Sequence, residues 1–211
     1  MIRLLVACVL VAGCARGEPD RDPPASVAEP GSEDAQAEQA RFDAERKPEK
    51  LVEALAIHPG SRVADIGCGS GLLTVHLARA VKPGGTVVAT DVDGAVLDLL
   101  KTRLAAQGLD DVVERREVKA DKPGLETGQY DAILLAEVDH YFEDEPAWLA
   151  AAAPALKPGG RIVISNRIHH RAKSMAAAQK AGLVLVSEST PVPTHFIAVF
   201  TAPPPAATVK K

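Results

Sequence analysis

Val63-Ala64-Asp65-Ile66-Gly67-Cys68-Gly69-Ser70-Gly71 is the stretch that decides the fold. A short apolar run leads into glycines at alternate positions, and an apolar helical pattern follows from Leu72. Alternate glycines let the backbone turn sharply and approach a ligand with no Cβ in the way. The start of the following helix offers unpaired backbone N–H groups and a positive dipole end, which suit an anionic group. The stretch therefore predicts a ligand-binding turn between a buried strand and a helix.

Two other nucleotide-binding turns resemble this one and differ from it in detail. Dinucleotide domains use Gly-x-Gly-x-x-Gly, whereas this chain has Gly-x-Gly-x-Gly and no glycine at position 72. Asp65 lies two residues before the first glycine, where a carboxylate would face a pyrophosphate unfavourably but can pair with an ammonium group. A P-loop is excluded because no Gly-Lys-Ser/Thr follows. A nicotinamide oxidoreductase is therefore disfavoured.

The next predicted strand ends Val87-Val88-Ala89-Thr90-Asp91-Val92-Asp93. An acid at the tip of this strand is placed to accept hydrogen bonds from both hydroxyls of a ribose. We assign that role to Asp91. Asp93 is better placed to cap the following helix.

One joint recurs along the chain: His58-Pro-Gly-Ser-Arg-Val, Lys82-Pro-Gly-Gly-Thr-Val and Lys157-Pro-Gly-Gly-Arg-Ile. Proline stops a helix, glycine makes the turn and a β-branched strand follows, which predicts repeated αβ units on a parallel sheet. The last two strands are joined by a loop too short for a parallel crossover, so the final strand should run antiparallel. We predict strands at 62–66, 86–90, 112–118, 131–136, 161–165, 183–189 and 195–201, and helices at 48–57, 71–81, 94–107, 145–156 and 171–181.

The glycine turn, Asp91, Tyr130-Asp131-Ala132-Ile133-Leu134-Leu135 and Leu156-Lys157-Pro158-Gly159-Gly160-Arg161 together resemble class I S-adenosylmethionine-dependent methyltransferases. The resemblance covers about residues 52–200. It implies a Rossmann-like α/β three-layer sandwich, whose seven-stranded sheet is mostly parallel with one antiparallel strand, and S-adenosylmethionine as the cofactor. The cofactor-binding residues that it implies are Asp65, Gly67, Cys68, Gly69 and Gly71 near the methionine portion, Asp91 and Val92 near the ribose, Asp121 at the adenine amino group, and Glu137.

Methyl transfer needs donor and acceptor held in line, and a general base only if the acceptor must first lose a proton. The acceptor pocket is expected at the carboxyl ends of the strands, where Ala136-Glu137-Val138-Asp139-His140-Tyr141-Phe142 is the densest polar and aromatic cluster. His140 is the candidate base, and Asp139 or Glu137 the candidate contact to cofactor or acceptor. The alternative is that His140 and Tyr141 only shape the pocket or cap a helix.

The acceptor is predicted to be a small molecule. The Asn/Asp-Pro-Pro-Tyr/Phe motif of many nucleic-acid amino-group methyltransferases is absent from the sequence. A net charge of −4 and an aromatic content of 3% also disfavour nucleic acid as the main partner.

No metal site is predicted. Asp139 and Asn166 occupy places comparable to Mg²⁺ ligands of catechol O-methyltransferase-like enzymes, but the acid expected beside Asn166 is missing. His169 and His170 have no nearby cysteine or carboxylate in the sequence, so we interpret them as loop residues.

The N-terminus resembles a targeting signal. Arg3 precedes an apolar run that ends at Ala12, and Val11-Ala12-Gly13-Cys14 resembles the lipobox of bacterial lipoproteins. Residues 1–13 are thus predicted to be a signal peptide, and Cys14 a lipidated residue that anchors the protein to a membrane of the cell envelope, the outer membrane being favoured by Ala15. The alternative is an ordinary apolar N-terminus, which would leave the protein in the cytoplasm.

Residues 14–45 are rich in Asp, Glu, Pro and Ala and are predicted to form a disordered linker, because they bury too little apolar surface to offset ordering entropy. The folded methyltransferase domain is predicted at 46–201 and a disordered tail at 202–211. Export would separate the domain from a cytoplasmic cofactor. A non-catalytic S-adenosylmethionine-binding or structural module at the membrane therefore stays open beside the enzyme.

Overall fold

The computed structural model describes residues 33–203. The predicted signal peptide, Cys14, the first part of the predicted linker and residues 204–211 of the predicted tail lie outside this range. Within residues 33–203, no helix combines the length and the apolarity that crossing a membrane requires.

A single sheet forms the centre of the described chain, in the order β3-β2-β1-β4-β5-β7-β6. The pairs among β1 to β5 are parallel, and β7 runs antiparallel to both β5 and β6. The order of the strands along the chain reverses between β1 and β4, which creates a crevice at their carboxyl ends. The strands are β1 Arg62–Ile66, β2 Thr86–Asp91, β3 Val113–Glu117, β4 Tyr130–Ala136, β5 Leu156–Arg167, β6 Val184–Val192 and β7 His195–Thr201.

Helices cover both faces of the sheet and give two apolar layers. Because side chains alternate along a strand, Val63 of β1 packs in the layer that contains Leu77 and Leu100, whereas Ala64 packs in the layer that contains Trp148 and Leu149. The predicted three-layer α/β fold is confirmed. The helices are α1 Glu33–Arg46, α2 Pro48–Leu55, α3 Thr74–Val81, α4 Gly94–Ala106, α5 Glu145–Ala152 and α6 Arg171–Lys180.

Several element boundaries differ from the sequence prediction, among them the start of α3 and the start of β5. The helix α3 begins at Thr74 and not at Gly71, since Gly71 has a φ of 88° and cannot start a right-handed helix. Strand β5 begins at Leu156, which pairs with Tyr130 ahead of a register shift. The third Pro-Gly-Gly joint thus lies inside a strand, and the helix predicted to reach residue 156 ends at Ala152.

The prediction of a disordered linker up to residue 45 is wrong from residue 33, where α1 begins. Contacts with the folded body hold this polar helix. Glu38 pairs with Arg103 at 2.8 Å, and the side chain of Gln39 donates to the carbonyl of Leu72 at 2.9 Å. Phe42 packs against the core. These contacts are made with residues far away in sequence, so local composition does not reveal them. Disorder was predicted for this reason.

Candidate active site

A cavity of about 310 Å³ opens at the carboxyl ends of β1, β2 and β4, at the point where strand order reverses. Its walls are mainly apolar with a few polar groups, which is the usual character of a small-molecule site. The lining residues are Ile66, Gly67, Thr90, Asp91, Val92, Val118, Lys119, Ala120, Lys122, Pro123, Glu137, Val138, Tyr141, Phe142 and Trp148.

The glycine turn forms one edge of this cavity. Gly67 lines it with a φ of 63°, and a Cβ at this position would lie 2.5 Å from Cγ2 of Val138. Gly71 has no place in the lining, and a Cβ there would lie 2.2 Å from Cδ1 of Leu100. Close packing of neighbouring side chains, as well as turn geometry, therefore requires glycine at both positions.

Asp91 lies in the cavity wall at the tip of β2. Its Oδ2 accepts a hydrogen bond from the backbone N–H of Gly69 at 3.0 Å, and its Oδ1 accepts from those of Val92 and Asp93 at 2.8 and 3.2 Å. These bonds fix a carboxylate where a ribose was expected. Val92 beside it is 57% exposed and lines the cavity. Asp93 caps α4 as predicted, since its side chain accepts from the N–H of Ala95 at 2.9 Å.

Asp65 is not brought to the cavity. Its side chain is 2% exposed and accepts a hydrogen bond from Oγ1 of Thr74 at 2.7 Å. Burial raises the pKa of Asp65 to about 7, although the bond from Thr74 acts in the opposite direction. The expected pairing of Asp65 with an ammonium group of the cofactor has no open path in this arrangement.

Cys68, Gly69 and Asp121 also lie outside the cavity lining. Cys68 is buried, its N–H donates to the carbonyl of Thr90 at 2.9 Å, and burial raises the pKa of its thiol. Asp121 is exposed, and it is the neighbouring Ala120 and Lys122 that line the cavity.

Glu137 follows β4 and faces the cavity with a left-handed backbone φ of 56°. Its Oε1 accepts a hydrogen bond from Nη1 of Arg46 at 2.5 Å and is also hydrogen-bonded to Nε2 of His195. Burial raises the pKa of Glu137, but the hydrogen bond from His195 and the charge of Arg46 outweigh this and bring it down to about 2. Glu137 is therefore a fixed, ionised carboxylate at the cavity wall.

Neither partner of Glu137 was predicted from the sequence. Arg46 adjoins the stretch predicted to be disordered, and nothing in the local pattern marks it. His195 could have been found, because an antiparallel β7 must begin at the sheet edge where the parallel strands end. The register confirms this, with His195 opposite Arg167 near the end of β5.

Asp139 and His140, which the sequence predicted to act on the cofactor or the acceptor, are not among the residues that line the cavity. Asp139 is fully buried, accepts from Nδ2 of Asn166 at 2.6 Å and accepts from the hydroxyl of Ser174. The same Nδ2 lies 2.9 Å from Nδ1 of His140, whose ring stacks on that of His170 at 4.3 Å between centroids. With Nδ1 accepting, the neutral imidazole carries its proton on Nε2. The structure thus places His140 as a hydrogen-bond donor at Nε2.

Glu145 is a buried acid for which the sequence predicted no role. No described group donates a hydrogen bond to either of its carboxyl oxygens, and Asp139 lies beside it. Burial, followed by the charge of Asp139, raises the pKa of Glu145 to about 8. The protonated side chain can donate to Asp139.

A metal was not predicted, and residues 33–203 contain no group of three or more His, Cys, Asp or Glu side chains arranged to hold one. The rings of His169 and His170 lie 4.0 Å apart and are tilted by 49°.

The chemistry of the cavity fits S-adenosylmethionine. Asp91 supplies a carboxylate for ribose hydroxyls, and the apolar side chains of Val118 and Pro123 offer a surface for a purine. The buried hydroxyl of Thr90 also lines the cavity and has no hydrogen-bond partner among the described residues. Glu137, which follows β4 on the other side of β1 from Asp91, supplies a negative charge.

Comparison with known proteins agrees with this geometry. Residues 64–162 match the model of a family described as a methyltransferase domain. The chain is 33% identical over 144 residues to the ubiquinone biosynthesis O-methyltransferase of Dinoroseobacter shibae, covering 68% of this chain and 55% of that protein. It is 32% identical over 119 residues to the nocamycin O-methyltransferase of Saccharothrix syringae, covering 56% and 42%. The chain thus spans about half the length of the curated relatives it matches.

Solved structures share the fold. A methyltransferase from Aquifex aeolicus, described as dependent on S-adenosylmethionine, superposes with a TM-score of 0.70 at 18% identity, over 78% of this chain and 96% of that one. The geranyl diphosphate C-methyltransferase of Streptomyces coelicolor, solved with Mg²⁺, geranyl diphosphate and S-adenosylhomocysteine, gives a TM-score of 0.64 at 18% identity, over 79% and 81%. Residues 64–162 thus match a family described as a methyltransferase domain, and the order of the strands agrees with the fold of the solved methyltransferases.

Proposed function

We propose that the chain is an O-methyltransferase that transfers a methyl group from S-adenosylmethionine to a hydroxyl group of a small molecule. The observation that carries the proposal is the cavity at the sheet's reversal point, with the Asp91 carboxylate fixed in its wall by the N–H of Gly69. Two relatives named as O-methyltransferases support oxygen as the methylated atom.

The protein's part in this reaction is to hold donor and acceptor in line and exclude water, which supplies much of the acceleration. When bound, S-adenosylmethionine would supply a methyl group on a positively charged sulfur; transfer to the hydroxyl oxygen would leave neutral S-adenosylhomocysteine and release the hydroxyl proton to solvent. Asp91 would hold the ribose. Phe142 and Trp148, whose rings stack at 4.4 Å between centroids, form part of the cavity wall. Tyr141 is 58% exposed at the rim, where an acceptor can reach it.

A transfer assay tests the activity. The purified full-length chain would be incubated with S-adenosylmethionine carrying a labelled methyl group and with panels of small molecules bearing hydroxyl, amino or carboxyl groups. We expect labelled product from hydroxyl acceptors, lost in Asp91→Ala. Binding of S-adenosylhomocysteine without product from any panel would favour the membrane-anchored binding module instead, and binding of NADH alone would favour an oxidoreductase.

We also propose that the protein is a lipoprotein of the cell envelope. The support is the lipobox-like Val11-Ala12-Gly13-Cys14 behind a short apolar run. Two acyl chains anchor a protein stably because each buried CH₂ contributes about 0.8 kcal/mol. Cys14→Ser should leave an unlipidated chain in the soluble fraction, and unchanged membrane partitioning of this variant would refute the anchor.

A further inference from the structure

We infer that Glu137, and not Asp65, is the carboxylate that receives the ammonium group at the amino-acid end of the cofactor. This inference rests on the proposed function, because it assigns a residue to the cofactor that the proposed reaction uses.

Few carboxylates in the site are available to a ligand. Among the residues that line the cavity, the carboxylates are Asp91 and Glu137. Asp91 already accepts three backbone N–H bonds, and the proposed function assigns it to the ribose. Asp65 is buried behind the glycine turn with its side chain bonded to Thr74. Glu137 is therefore the carboxylate that is left for the ammonium group.

The side-chain bonds of Glu137 are made at one of its two carboxylate oxygens. Within residues 33–203, Arg46 and His195 both bind Oε1, and no bond is made by Oε2. The side chain is 33% exposed and part of the cavity wall. Two cationic or donor groups thus clamp one oxygen and leave the other for a hydrogen-bond donor.

Glu137 and Asp91 lie on opposite sides of the glycine turn. Glu137 follows β4 and Asp91 ends β2, and β1 with its glycine turn lies between these two strands. Neighbouring strands are about 4.8 Å apart, so the two strands lie roughly 10 Å from each other. A ligand that lies across the turn with its sugar at Asp91 therefore directs its other end to Glu137.

The charged residues of the cavity wall also favour Glu137 as the partner of an ammonium group. An ammonium group needs an ionised acceptor, and charge-assisted hydrogen bonds are about twice as strong as neutral ones. The cations in the cavity wall, Lys119 and Lys122, follow β3 on the other side of Asp91. Arg46 and Arg167 are close enough to Glu137 to lower its pKa, but neither is among the residues that line the cavity. Among the lining residues, the negative charge on this side of Asp91 is therefore that of Glu137.

Calorimetry on the full-length chain tests the assignment with two probes that differ in one part. S-adenosylhomocysteine carries the amino-acid end, and 5′-methylthioadenosine lacks it. Glu137→Gln should weaken binding of the first by about tenfold or more and leave binding of the second within about twofold. Glu143→Gln, an exposed acid six residues further on, is the matched control and should change neither. Glu137→Asp keeps the charge but shortens the side chain, so it should give a smaller loss with the same selectivity, and it serves if Glu137→Gln does not fold.

The outcomes separate the two proposals. If the unmodified chain binds neither probe, the proposed function fails. If it binds both and Glu137→Gln leaves the first probe unaffected, or weakens both equally, the assignment of Glu137 is overturned while the proposed function stands. A raised KM for the acceptor with unchanged cofactor binding would also overturn it, by placing the acceptor at Oε2.

Discussion

Asp65 and Glu137 are acids at the carboxyl ends of adjacent parallel strands, and the fold treats them in opposite ways. Asp65 is enclosed behind the glycine turn with one neutral hydrogen-bond donor, so burial governs and its pKa rises to about 7. Glu137 has Arg46 and His195 on one oxygen, and its pKa falls to about 2. The comparison teaches that the partners supplied by distant elements decide which carboxylate can serve a cationic ligand.

The largest effect is expected from Asp65. In the folded protein its carboxyl is protonated up to a pH of about 7, whereas in the unfolded chain it ionises near 3.8. Its contribution to stability is therefore complete below pH 3.8 and is lost as the pH rises to 7. Asp65→Asn should remove this dependence of the free energy of unfolding on pH. Between pH 3.8 and 7, the free energy of unfolding of the variant should therefore rise relative to that of the unmodified protein by up to roughly 4 kcal/mol. Urea unfolding at a series of pH values measures it, and parallel curves for the two proteins would contradict the buried, protonated state.

Glu137 should give the opposite slope. Its pKa is lowered from 4.5 to about 2 in the folded protein, so its contribution is present above pH 4.5 and is lost as the pH falls towards 2. In Glu137→Gln the free energy of unfolding should depend less on pH in this acid window, by about 1–2 kcal/mol after allowance for solvent screening. The same urea series checks it, and a slope in the direction of Asp65 would break the comparison.

Gly67 connects the two regions, because it follows Asp65 and a Cβ at this position would overlap Val138, which follows Glu137. Gly67→Ala should lower the free energy of unfolding by about 1–2 kcal/mol through overpacking and backbone strain. It should also weaken binding of S-adenosylhomocysteine. Gly69→Ala is the matched control, since it has a similar φ of 53° but no atom within 4 Å of its Cβ. Equal effects of the two substitutions would show that backbone strain alone requires glycine.

The smallest effect on cofactor binding is expected from His140. Its ring lies outside the cavity lining and is bonded to Asn166. His140→Gln should change the dissociation constant of S-adenosylhomocysteine by less than about twofold, as measured by calorimetry. A large loss would place His140 in the cofactor site and weaken the contrast between Glu137 and its neighbours.

The parts of this account that follow from the sequence are those encoded locally. The strand-turn-helix around Gly67, the cap at Asp93 and the antiparallel last strand each depend on short-range sterics or loop length, and all three are confirmed. Helix α1, by contrast, is held by Arg103 and Leu72, which lie far away in sequence. The state of Asp65 and the clamp on Glu137 likewise depend on tertiary contacts that no local pattern records.

The dissociation constant of S-adenosylhomocysteine for the full-length chain and for Asp91→Asn tests the central claim most directly. The cavity as described predicts binding by the unmodified protein and a loss of about tenfold in the variant, whose side chain keeps its shape but not its charge. No binding by the unmodified protein, or equal binding by both, would contradict the claim that this crevice receives the cofactor with its sugar at Asp91.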